Sequence, residues 1–205
     1  FHALRNGAPG PVVIELISDV CNQTVAEQAQ NYSSPRQTKQ MPELSEIEAA
    51  ADTLISSNNP MIWAGSGVLF SGSSDALREL SRLTSIPVFC TMPGKSGFDE
   101  RDPLSLGSGC GTTTLMAHEW LKDSDVILAL GSSLTRSPYA QAIPKGKILI
   151  QNTNNPDDIN KDESIQISLV GDTKLTIDQL IKTIKKKTKN NGFGDLNKIA
   201  SKIKV

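Results

Sequence analysis

Histidine and cysteine are scarce in this chain: two His and three Cys in 205 residues. His118-Glu119 has no second histidine at zinc-protease spacing, and no cysteine pair has ligand spacing, which excludes a zinc centre. No G-x-S-x-G elbow occurs, and Cys110 has no evident base to activate it, so nucleophilic catalysis is unsupported. An odd number of widely spaced cysteines (Cys21, Cys90, Cys110) is no disulfide framework and predicts free thiols in a reducing, cytoplasmic setting. Neither sign of charge is in excess. The net value of -1 provides no general pull toward nucleic acid or an anionic membrane. No apolar run approaches the roughly 18 residues of a membrane span. A chain without an acid–base constellation is not expected to be catalytic by itself.

Strands and helices alternate from Pro42 onward. Ile47, Ala50, Ala51, Leu54 and Ile55 recur at helical spacing, Ser45-Glu46-Ile47-Glu48 has the form of a capping box, and Asn58-Asn59-Pro60 ends the helix. Met61–Ala64 reads as a strand, and Ser73 or Ser74 starts a helix facing Ala76, Leu77, Leu80 and Leu83 inward. Pro87–Thr91 is the next strand, and Met92 to Gly111 is a long Gly/Pro/Asp-rich passage. Thr112–Lys122 is helical, with Leu115, Met116 and Trp120 on one side. Val126–Leu130 is continuously apolar and bounded by turn signals, as in a strand buried on both faces. Strands at Lys147–Gln151 and Ile165–Val170 follow, then a helix capped by Asp172 or Thr173 that buries Ile177, Leu180, Ile181 and Ile184. The pattern specifies an α/β fold, a doubly wound parallel sheet with flanking helices.

Upstream, Val12–Ile17 is a short β-rich run, and residues 21–40 have linker composition. Phe1-His2-Ala3-Leu4-Arg5 reads as the tail of a helix already under way, so the chain is expected to be a piece of a longer one, with any targeting signal upstream. After Ile184 the chain is Lys-rich and apolar-poor, a solvated helix end and second linker.

Ligands of parallel sheets lie beyond the carboxyl ends of the strands. Gly65-Ser66-Gly67 follows a strand there, but Phe70 stands where the third glycine of G-x-G-x-x-G belongs, and Thr91 ends the second strand in place of a ribose-binding carboxylate. This argues against ordinary NAD binding. Pro93-Gly94-Lys95-Ser96 resembles a phosphate loop, yet Phe89 occupies its first glycine position and Pro103 closely follows, which excludes an ATPase.

In order and spacing these segments resemble the central domain of thiamine-diphosphate-dependent enzymes of the acetolactate synthase superfamily. Gly10–Val20 is similar to the closing strand of that family's upstream pyrimidine-binding domain, and Asn59–Gly67 to the strand and glycine turn that open its central domain. Thr91–Phe98 with Asp102–Gly107 is similar to its G-K-G passage and following D/H-P-x-x-x-G, and Asp123–Gly131 to its D-x-D-x-x-x-x-x-G strand. The resemblance implies a Rossmann-like six-stranded sheet. It also implies limits of 1–20 for the upstream segment, 21–40 for a linker, 41–186 for the central domain and 187–205 for a link to a downstream domain.

The implied parent enzyme makes or breaks a carbon–carbon bond next to the carbonyl of a 2-oxo acid or aldehyde, with the cofactor as electron sink. Its thiamine diphosphate and Mg2+ are bound by the upstream glutamate and a downstream Gly-Asp-Gly…Asn motif; Gly194-Asp195-Leu196 lacks the second glycine. Its expected partners are the other domains of the same chain, within a homodimer or homotetramer. In this family the central domain binds FAD in some members, ADP in others and nothing in several. Here the early Arg after the fourth strand is missing, and Asn152-Thr153-Asn154 replaces an Asp-x-Asp. Candidate ligand residues are Gly65, Ser66, Gly67, Gly94, Lys95, Gly131, Ser132, Arg136, Asn152 and Asn154. The alternatives for this edge are a nucleotide or close packing against neighbouring domains. A non-catalytic FAD- or ADP-binding module, as in electron-transfer flavoproteins, is the alternative for the whole chain.

Overall fold

The computed structural model describes residues 1–203, side chains 28 and 30 excepted. The chain divides into two compact units, Phe1–Lys39 and Gln40 onward. In the first, three single helical turns, α1 (His2–Arg5), α2 (Ser18–Cys21) and α3 (Glu27–Gln30), are joined by extended chain. Arg5 donates to Ser34 Oγ at 2.6 Å, and Asn6 Oδ1 accepts from the Thr38 amide at 2.7 Å. The expected strand at Val12–Ile17 is not formed, since a strand needs a hydrogen-bonded neighbour and this unit offers none among its described residues. Its side chains stand in solvent, Val13 at 91% exposure and Ile14 at 75%.

The second unit is built on one sheet. Its elements run α4 (Leu44–Ser56), β1 (Met61–Ala64), α5 (Gly67–Phe70), α6 (Ser74–Thr84), β2 (Val88–Thr91), β3 (Ser105–Gly109), α7 (Leu115–Asp123), β4 (Val126–Leu130), β5 (Ile148–Thr153), β6 (Ile167–Val170), α8 (Thr173–Lys187) and α9 (Leu196–Ile203). All six strands are parallel, in the order β3-β2-β1-β4-β5-β6. Alternate residues of each central strand feed opposite faces. Ile62, Ala64, Val88, Leu128 and Leu130 join one core with α4, α6 and α8, while Met61, Trp63, Phe89, Ile127 and Ala129 join another with α7. That alternation explains why β4 is apolar at every position: both of its faces are buried.

Several local expectations need correction. α4 starts one residue before Ser45, with Glu43 as its N-cap, so the proposed capping box lies inside the helix. Ser73 is the N-cap residue of α6, its carbonyl accepting from the Leu77 amide, but its hydroxyl donates to the Val68 carbonyl and makes no capping bond. Leu115 is 71% exposed, because α7 begins only there and turns Ala117, Trp120 and Leu121 to the sheet. The sixth strand, β3, emerges from the Gly/Pro/Asp-rich passage; Ser-Leu-Gly-Ser-Gly has no strand signature and pairs only at the sheet edge. Beyond α8 the chain is not uniformly apolar-poor in its packing. Phe193, Leu196 and Ile199 rest on one core, and Ile199 and Ile203 on the other. Residues 204 and 205 of that stretch lie outside the described residues. The Asp172 cap is as expected, its carboxylate accepting from the Leu175 amide at 3.0 Å.

Asp125, second carboxylate of the D-x-D pattern, ties the start of β4 to the entry of β1 by accepting from the amides of Asn58 and Asn59 at 2.7 and 3.0 Å. Partial burial by itself would raise its pKa, but these amide donors outweigh burial and hold the carboxyl below its ordinary value. A depressed folded pKa contributes stability that is present above the unfolded pKa of about 3.9 and is lost as pH falls through the folded value. Asp125→Ala is therefore expected to lower stability by about 1–2 kcal/mol at pH 7. Urea unfolding of both proteins should show the gap closing at acid pH; a gap unchanged at pH 3 would contradict this account.

Candidate functional site

The strand order reverses between β1 and β4, and the crevice beyond their carboxyl ends is where open α/β sheets take ligands. A cleft of about 960 Å³ lies there. Its walls are Trp63 of β1, Met92 and Pro93 after β2, and Leu134, Tyr139 and Ile143 from the β4–β5 connection. That connection carries no helix among its described residues, so nothing helical fills the space. Of the ten residues anticipated, Gly65, Ser66, Gly131, Ser132 and Arg136 line the cleft, whereas Gly67, Gly94, Lys95, Asn152 and Asn154 do not. Lys95 belongs to a separate pocket of about 450 Å³ with Arg78 and Glu100. There its ammonium lies 3.3 Å from Glu100 and 3.4 Å from Ser108 Oγ.

The glycines are needed by one another. A Cβ on Gly65 would fall 2.3 Å from the Gly131 carbonyl oxygen, and one on Gly67 would fall 2.5 Å from Gly131 Cα. Gly131 itself has φ +59°, the left-handed region. Gly94 sits as tightly against the backbone of Ala64 and Gly65. Their amides are committed too. Gly65 N–H donates to Leu130 O and Gly67 N–H to Gly131 O, both at 2.9 Å. Gly94 N–H donates to Thr91 Oγ1, Gly131 N–H to Asn152 Oδ1, and Ser132 N–H to the Asn152 carbonyl.

Asn152 is fully buried. Its Nδ2 donates to Leu169 O at 2.8 Å and to Gly171 O and Thr176 Oγ1 at 3.1 Å, so the side chain joins β4, β5, β6 and α8. Asn154 lies just beyond β5 and is exposed. Arg136 is held by Glu163, a carboxylate that no sequence motif singles out. Glu163 accepts from Nε at 2.7 Å and from an Nη at 3.0 Å, while the Arg136 amide donates to Asp162 at 3.0 Å. The available signal was the adjacent pair Asp162-Glu163 in the next connection, since an arginine in a polar loop commonly finds such a partner.

The thiols differ. Burial is the main cause that pushes Cys90 up to about 11, whereas hydrogen bonds from Thr112 lower Cys110 at the cleft wall. Among the described residues no group of three or more His, Cys, Asp and Glu could hold a metal ion.

A family model described as "Thiamine pyrophosphate enzyme, central domain" matches residues 47–180. A protein of Methanococcus aeolicus described as "Probable acetolactate synthase large subunit" is 30% identical over 193 residues, covering 90% of this chain and 32% of its own length. An acetolactate synthase of Mycobacterium bovis is 27% identical over 188 residues, covering 88% of this chain and 30% of its own length. In structure the chain is similar to a benzoylformate decarboxylase from Polynucleobacter necessarius, with a TM-score of 0.69 at 20% identity over 88% of this chain and 33% of that one. The chain thus spans about a third of the length of these relatives.

Two outcomes follow from the geometry. Asn152→Asp is expected to destabilise by about 2–4 kcal/mol, because a buried carboxylate would face the Leu169 and Gly171 carbonyls that now receive N–H donors. A denaturation midpoint equal to that of the unaltered chain would refute this. With an alkylating reagent at pH 8, exposed Cys21 and cleft-wall Cys110 should be modified in the native protein and Cys90 only after unfolding, as read by peptide mass.

Proposed function

This chain belongs to the thiamine pyrophosphate enzyme central-domain family, and from that premise we propose that it is the scaffold of a thiamine-diphosphate-dependent enzyme that makes or breaks a carbon–carbon bond beside the carbonyl of a 2-oxo acid or aldehyde. The observation that carries this reading is the family match across residues 47–180, which begins within α4 and ends within α8 of the six-stranded unit. The named activities of the relatives, acetolactate synthesis and benzoylformate decarboxylation, both belong to that reaction class.

The residues present do not fit thiamine diphosphate and Mg2+. The only trace of the expected diphosphate motif is Gly194-Asp195-Leu196, and there the Asp195 carboxylate accepts the Lys198 amide at 3.1 Å, a helix-cap contact at the start of α9. No catalytic step is therefore assigned to this chain's own side chains. Its part is mechanical: a rigid sheet with two buried faces that holds flanking domains at a fixed separation. Residues 1–20 are proposed as the closing segment of an upstream domain, 21–40 as a linker, 41–186 as the central domain and 187–205 as the link to a downstream one. The exposed Val13, Ile14, Leu16 and Ile17 favour this, since they would be covered on joining a sheet. The whole enzyme is proposed as a cytoplasmic homodimer or homotetramer. No helix among the described residues is long and apolar enough to cross a membrane. Nothing observed favours the electron-transfer-flavoprotein alternative.

With pyruvate, thiamine diphosphate and Mg2+ supplied, the purified 205-residue chain is expected to release no carbon dioxide above a buffer blank. Sequencing the gene on both sides should reveal an upstream domain with its activating glutamate and a downstream Gly-Asp-Gly…Asn motif. Flanks lacking both, or turnover by the chain alone, would overturn the reading.

A further inference from the structure

The family resemblance raises the question of a nucleotide in the cleft, and the residues there do not fit a diphosphate. Of the turn amides lining the cleft, those of Gly65, Gly131 and Ser132 already donate to protein oxygens. Three charged side chains line the cleft, Arg136, Lys145 and Glu163. Lys145 is exposed. Arg136 is engaged by both carboxylate oxygens of Glu163 in the fork geometry that a phosphate would otherwise adopt. The burial of this pair is unequal: the Glu163 side chain is 13% exposed and that of Arg136 is 65% exposed. The carboxylate is the seated partner and the guanidinium is the one that reaches it from solvent.

We infer that Glu163 is a built-in anion occupying the phosphate position of this cleft, so that a nucleoside diphosphate binds the domain only when the Arg136–Glu163 pair is broken. Two costs oppose such a ligand in the unaltered chain. The bidentate pair must be given up, and a largely buried carboxylate would then be left without its cation beside an added negative charge. Meanwhile the amides of Gly65, Gly131 and Ser132, already committed to protein oxygens, offer no compensating donors. Glu163→Gln keeps the side chain's shape and removes the competing charge. Arg136 then becomes available to a phosphate.

Calorimetric titration of ADP into the 205-residue chain, at low and moderate salt, tests this. Glu163→Gln should bind ADP roughly tenfold or more tightly than the unaltered chain. The gain should shrink as salt rises and vanish in the double variant Arg136→Ala/Glu163→Gln. Glu163→Ala provides a second route to the same release, and circular dichroism checks that each variant is folded. Binding of ADP by the unaltered chain as tight as by Glu163→Gln would overturn the inference, as would folded Glu163 variants that gain nothing. Neither outcome bears on the scaffold reading, which rests on the family match and is tested by the flanking gene sequence.

Discussion

The contact on which the rest of this molecule depends is a backbone-to-backbone one, where the loop leaving β1 meets the loop leaving β4. Gly65 and Gly67 lie against Gly131 so closely that a single added Cβ on any of the three would overlap a main-chain atom. Two amides cross the gap at 2.9 Å, extending the β1–β4 pairing beyond the ends of the strands. β1 and β4 are the central pair of the sheet. Locking their carboxyl ends together therefore joins the two halves, β3-β2-β1 and β4-β5-β6, in one continuous sheet. Asp125 does the equivalent at the opposite end, holding the turn that enters β1 to the start of β4. The central seam is pinned at both ends, and neither pin depends on a ligand.

That arrangement has a chemical consequence. Glycine at a switch point is usually read as room for a ligand's backbone approach, since a bare Cα admits a phosphate. Here the same bare Cα admits another piece of the chain, and the N–H groups it would have presented are consumed in doing so. Asn152 continues the pattern one strand further. It replaces a carboxylate expected at a ligand-binding position, and its amide nitrogen is what allows it to bind three acceptors from β6, the turn after it and α8. A carboxylate there would have no hydrogens for those oxygens. Asn152 thus serves internal cohesion, and Arg136 is likewise paired within the chain, by Glu163.

Legibility in the sequence followed burial. β1, β2 and β4 were readable because both faces of each are covered, which leaves short apolar runs between turn residues. α8 was readable from Ile177, Leu180, Ile181 and Ile184 at helical spacing and from Asp172 at its cap. β3 was not, because an edge strand of serine and glycine is held by pairing to β2 and carries no pattern of its own. α9 was obscured by the lysines around it, although Leu196, Ile199 and Ile203 recur at helical intervals and reach both cores. At the edge of the sheet the residue types were identified and half of them line the cleft. Their roles were not legible, because a Gly-Ser turn reads alike whether its neighbour is a phosphate or a second glycine. Glu163 is far from Arg136 in sequence, and only the fold brings the two loops side by side.

The two faces of the sheet are unequally dressed, and this bears on what a scaffold must do. One face carries α4, α6 and α8, which pack on one another as well as on the strands. The other carries α7, with Trp120 buried and its indole N–H donating to the Pro60 carbonyl at 3.2 Å. The β4–β5 crossover adds no helix there among its described residues, only an irregular segment whose Leu134 is held at φ +50° and whose Tyr139 is 80% exposed. A domain of this kind is stiff where its own core is complete and adaptable at the carboxyl edge, where loops supply the surface. The stiffness comes from the glycine seam and the three-helix face. The adaptable edge is where Met92, Phe70 and Tyr139 expose apolar area that a solitary sheet has no reason to display. A sheet pinned internally at its seam can carry such an edge without its strand geometry depending on what covers it.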